Sequence, residues 1–149
     1  NNRATMPAGV SRVSPVFALN AKPNKHTEAL LLNSEVTDNC FVASVESLFK
    51  DSFTCPMILK KINMDRNVVL LSVKDLTSQN ANRIQSFKYG TEYNGIILGK
   101  NSGLYLVLVE NSWVEVPVES TSVFKTGDKI KFIKASSTSF VESSVLDKM

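Results

Sequence analysis

Between Tyr93 and Lys134 the chain is cut into short β-type runs by residues that favour turns. Ile96–Leu98 and Leu104–Val109 flank a glycine-bounded turn at Gly99–Gly103, and Trp113–Val118 follows Glu110–Ser112. Phe124-Lys-Thr-Gly127-Asp-Lys129 then leads into the alternating run Ile130–Ile133. β-branched and aromatic residues favour the pleated chain, and Gly, Asn and Ser supply the reversals. The breaks fall too close together for helices of ordinary length. A curled antiparallel sheet is what such a stretch can fold into.

The order of these features resembles the RNA-binding OB repeat of the bacterial small-subunit ribosomal protein S-one. Gly95 opens the first strand. Gly103-Leu-Tyr105 resembles the glycine–small–aromatic start of strand two, Val116-Pro-Val-Glu-Ser120 a segment of strand three, and Gly127-Asp128-Lys129-Ile130 the entry to strand four. The match covers about the last third of the chain and implies a five-stranded barrel over residues 91–146. Phe140–Leu146 supplies the fifth strand, after a turn at Ala135–Ser139.

Residues 29–76 read as strands at Ala29–Leu32, Cys40–Val45, Cys55–Ile62 and Val68–Val73, with a hairpin turn at Asp65-Arg-Asn67. Leu48–Phe53 is a loop or helical turn. Ile62–Lys74 carries an Asp-Arg turn followed by Leu71-Ser72-Val-Lys74, which resembles the last hairpin of the same repeat. This implies a second, degenerate OB-like or partial barrel. Residues 77–90 are a polar linker in which Asn80–Phe87 can form a short helix with Ile84 and Phe87 on one face. Residues 1–28, with Pro7, Pro15 and Pro23 among Asn, Ser and Lys, bury too little to fold alone and read as an extended arm. The expected fold is therefore all-β: tandem small OB-like barrels, residues 29–76 and 91–149, behind an N-terminal arm.

Composition narrows the function classes. The 149 residues are 43% hydrophobic and 21% charged, with net charge +3. This suits a folded core and permits, without demanding, a polyanionic partner. No apolar run approaches the roughly 18 residues of a membrane span, and no signal peptide is visible. Cys40 and Cys55 sit in apolar contexts and read as buried free thiols. His26, the single histidine, lies in the arm, so neither a catalytic triad nor a zinc site can be assembled. Gly95, Gly99 and Gly103 do not form a phosphate loop. No cofactor is expected, and the chain reads as a non-catalytic module of the cytoplasm or of a ribonucleoprotein or viral particle.

Nucleic acid is the first candidate partner. OB folds hold single strands on stacked aromatics beside a basic groove. The family's two aromatics at the start of strand two fall on Ser102 and Tyr105, and its strand-three histidine on Pro117, so Tyr105 alone is kept. The resemblance implies that Tyr105 points outward, with Leu104 and Leu106 inward. Trp113 offers a second stacking surface, and Lys100, Lys125, Lys129, Lys131 and Lys134 can neutralise phosphates. The other reading is a structural subunit of a virion or other large particle, with the barrels and arm making protein–protein contacts.

Overall fold

A computed structural model describes residues 10–13, 28–42, 44–53 and 55–143. Its strands form two β-sheets. Strands β1 (Val10–Val13), β2 (Glu28–Leu32), β3 (Ile58–Asn63) and β4 (Val68–Ser72) form one sheet in the order β1-β2-β4-β3. Strands β5 (Glu92–Asn101), β6 (Leu104–Val109), β7 (Glu115–Glu119), β8 (Lys129–Lys134) and β9 (Phe140–Glu142) close into a barrel in the order β5-β6-β7-β9-β8. Within the barrel β7 and β9 pair in parallel, and the other pairs are antiparallel.

Local chemistry explains the barrel strands. Ser102 and Gly103 both take positive φ, 53° and 84°, as a two-residue hairpin between right-twisted strands requires. Leu98 is an extra residue in β5, because Ile97 pairs with Val107 and Gly99 with Leu106. Such a bulge bends and twists its strand. At Gly95, β5 is paired on both sides, to Val109 of β6 and Ile130 of β8. A Cβ there would stand 2.2 Å from Val107 Cγ1 and 2.8 Å from the Leu108 carbonyl oxygen. The absence of a side chain is what lets β6 close over β5 at that point.

The first sheet departs from the sequence reading. It does not close among the described residues, where the sequence suggests a small or partial barrel. Its order is mixed, with β2 parallel to β4 and β3 antiparallel to it. The described residues between β2 and β3, which would supply barrel strands, instead form a cover over the core. Cys40–Val42 and Ser44–Val45 are not strand, and Glu46–Ser52 winds into a 3-10 helix. Tertiary contacts override β-propensity here: Val42, Val45 and Leu48 recur every three residues and all are buried. The β3–β4 hairpin forms as expected, with Asn67 at φ 53° and the Arg66 N–H donating to Asn63 Oδ1 at 3.2 Å.

Two further elements shift. The short helix expected within Asn80–Phe87 is a 3-10 turn, Ala81–Ser86, and an α-helix not expected from the sequence, α1 (Lys74–Gln79), precedes it where Ser72 Oγ accepts the Asp75 N–H at 3.0 Å. Val10–Val13, placed in the arm by composition, is an edge strand on β2. The rest of the arm expectation lies outside the described residues, apart from Glu28 at the start of β2. The last residues of the expected fifth strand, 144–146, also lie outside them.

The cores show how the halves are joined. Ile97, Tyr105, Val107, Val109, Val116 and Ile130 are among the residues that fill the barrel. The alternate residues Ile96, Leu98, Leu106 and Leu108 belong to a second core, with Leu31, Val36, Leu48, Met57 and Leu71 of the N-terminal half. The β5–β6 hairpin is therefore buried on both faces. That is why Leu104–Val109 reads LYLVLV with no polar alternation.

Candidate functional site

Tyr105 lies on the barrel-interior side of β6 and is 4% exposed. Its hydroxyl donates to the Ser122 carbonyl oxygen at 3.1 Å and accepts the Phe124 N–H at 3.0 Å. The Phe124 ring meets it edge-on, with centroids 5.4 Å apart. Leu106 points the other way, into the second core. The expected orientation is thus inverted, because β6 has no solvent face for its apolar residues to avoid. Tyr105 is an anchor for the loop after β7 and not a surface for stacking.

Trp113 is also structural. It takes φ 50°, packs half-buried on Phe53 at 6.1 Å between ring centroids, and lends its carbonyl oxygen to Asn80 Nδ2 at 3.2 Å. It belongs to the second core and Tyr105 to the first, so the two aromatics do not form one platform.

The lysines divide into three places. Lys129 and Lys131 are exposed on β8 and border a shallow groove of ≈290 Å³ with Asn94 and Glu110. Lys134 is half-buried; its Nζ donates to the Phe87 carbonyl oxygen at 3.3 Å and sits 5.0 Å over the Tyr89 ring. Lys100 and Lys125 are exposed and come together on a larger groove of ≈500 Å³. Phe41 and Val123 line the same groove and are 80% and 91% exposed. Among the described residues no carboxylate lines it.

Sequence reasoning misses Phe41, since its apolar neighbours read as a strand. Its place depends on Gly99. A Cβ there would lie 2.6 Å from the Phe41 carbonyl oxygen and 2.8 Å from Cys40 Sγ, so only glycine lets the 39–42 segment cross β5 this closely. Asn101 Nδ2 donates to the Asn39 carbonyl oxygen and ties the segment to the end of β5. On the other border, Tyr105 fixes the loop that carries Val123 and Lys125, and Asp128 Oδ2 accepts the Lys125 N–H at 2.8 Å.

The outer face of β6–β7 is covered around Glu115, while Pro117 and Glu119 further along β7 are exposed. Glu115 lies on it and accepts from Thr37 Oγ1, 2.9 Å from both carboxylate oxygens, and from Asn39 Nδ2 at 3.1 Å. Burial pushes the Glu115 carboxyl above its ordinary 4.5, and the Asp38 charge adds to this; the bonds from Thr37 and Asn39 oppose it without prevailing. The folded protein then holds this proton more tightly than the unfolded chain. The stability Glu115 contributes is complete below about pH 4.5 and is lost as pH rises through the raised folded value. Glu115→Gln keeps one acceptor oxygen that Thr37 and Asn39 can share and has no charge to bury. Urea midpoints measured across that window should fall less steeply with pH in Glu115→Gln than in wild type.

The two thiols are not activated. Burial pushes the Cys40 thiol up to about 11, with the Glu115 charge adding to it, and the Cys55 thiol up to about 12. At neutral pH both stay protonated and are poor nucleophiles. Among the described residues no three His, Cys, Asp or Glu side chains gather as metal ligands. No helix there is long and apolar enough to cross a membrane.

No family model matches this chain, and no curated protein does.

Proposed function

We propose that this chain is a non-catalytic OB-type module that holds protein neighbours together in a larger assembly. The strand order β5-β6-β7-β9-β8, closed by β5–β8, supports the OB reading, since that fold is a five-stranded Greek-key barrel. The observation that carries the protein-contact reading is the partly covered, acidic barrel face. OB modules lay a nucleic-acid strand across the sheet centred on strands two and three. Here the outer side of the β5–β6 hairpin is core, and Glu115 on β7 is bonded to Thr37 and Asn39. A strand of nucleic acid laid there would find the leucines already covered and would meet Pro117 and the carboxylates of Glu115 and Glu119. The surfaces left open carry large apolar side chains: Phe41 and Val123 at the groove, Ile62 and Met64 at the β3–β4 hairpin. Exposed apolar groups of this size suit protein partners.

A second reading, contact with RNA or single-stranded DNA, is favoured by Lys129 and Lys131, which alternate outward along β8. Fractionating a native-source extract by size, with and without nuclease, separates the two. The protein-contact reading expects the chain in a large particle that survives nuclease. Release by nuclease supports the second reading, and a free monomer in both samples overturns the first.

A further inference from the structure

We propose that the groove bordered by Phe41, Ser44 and Ser47 on one side and by the 120–126 loop on the other takes an extended segment of a partner protein that alternates apolar and acidic side chains. This rests on the protein-contact reading above and names what that contact recognises. Phe41 and Val123, 80% and 91% exposed, come one from each bordering segment and offer apolar purchase. Among the described residues, Lys100 and Lys125 are the charged side chains lining the groove, and both are cationic. A partner that satisfies the pair must carry negative charge next to apolar bulk. Single-stranded nucleic acid meets the charge but not the rest. Val123 has no face on which a base can stack. The Tyr105 ring is occupied, with Phe124 at its edge and Lys100 Nζ 5.5 Å from its centroid. Of the other aromatic rings lining the groove, Phe124 is half-buried against Tyr105 and Phe41 is the exposed one, whereas aliphatic side chains pack on Phe41 and Val123 alike.

The groove is also held in shape before any partner arrives. Gly99 and Asn101 fix one border, and the Tyr105 hydroxyl fixes the other. A preformed site loses less ordering entropy on binding.

The test uses the full chain and fluorescently labelled short peptides that alternate Leu with Asp, Leu with Asn, or Leu with Lys, with an oligothymidylate as a further probe. Anisotropy at low salt should show binding of the Leu–Asp peptide, weakened by added salt and absent for Leu–Lys. Phe41→Ser and the double variant Lys100→Gln/Lys125→Gln should each weaken it about tenfold or more, while Lys129→Gln/Lys131→Gln should not. Thermal midpoints within a few degrees of wild type keep the comparison about binding, since all these side chains are exposed. Equal binding of the Leu–Asp and Leu–Asn peptides overturns the proposal. So does tighter binding of oligothymidylate lost in the same variants, which makes the groove a nucleic-acid site. No peptide binding, with the chain still in a nuclease-resistant particle, discards the groove and leaves the assembly role standing; a free monomer in extract discards the role itself.

Discussion

Gly95→Ala is expected to destabilise the fold by about 3 kcal/mol, the upper end of the usual cost of overpacking a filled core. The new methyl would stand 2.2 Å from Val107 Cγ1 and 2.8 Å from the Leu108 carbonyl oxygen, both deep in the barrel wall. Neither neighbour has room to retreat, because β5 is held by β6 on one side and β8 on the other. For a chain of this length the thermal midpoint should fall by about 6–12 °C. A double-mutant cycle with Val107→Ala sharpens the test. Removing Cγ1 relieves the closer contact and leaves the one to Leu108, so the double variant should cost less than the sum of the singles. Additive losses would mean that the two positions do not touch.

Leu98→Ala and Leu108→Ala should each cost about 2–5 kcal/mol, the range for deleting a buried leucine side chain. Both side chains point away from the barrel interior, and both are fully buried against the N-terminal half. On an open binding face, truncations there would fall within about 0.5 kcal/mol of neutral. Denaturant titrations read the difference directly. Losses as small as those at exposed sites would mean that the N-terminal half does not rest on the barrel in solution.

The barrel strands are legible in the sequence because their limits are local. Ser102-Gly103, Gly127 and the alternation Lys129-Ile-Lys131-Phe132 mark turns and faces without reference to the rest of the chain. The direction of the Tyr105 side chain is not legible. Period-two patterning tells inside from outside only when one face is polar, and β6 is apolar on both. Composition likewise places Val10–Val13 in an arm, since nothing within those four residues indicates that β2 will take them as a neighbour.

Of the candidate residues, the exposed lysines of β8 follow from alternation alone. The capture of Lys134 by Phe87 and Tyr89 depends on how the linker returns to the barrel. Phe41 is hidden in the sequence for a related reason. Apolar residues around it look like a strand until Gly99 is seen to let that segment cross β5.

The doubly buried hairpin also bears on how the chain is made. A ribosome delivers residues 28–73 before any of β5 exists, so the first sheet emerges with Leu31, Met57 and Leu71 lacking the hydrophobic partners that complete their core. Those partners arrive only with Ile96, Leu98, Leu106 and Leu108, on a hairpin whose opposite side the barrel needs as well. One pair of strands thus finishes two interiors. Neither half is a unit that can be lifted out and used elsewhere, and until the hairpin is synthesised the nascent chain presents apolar surface to whatever protein it meets.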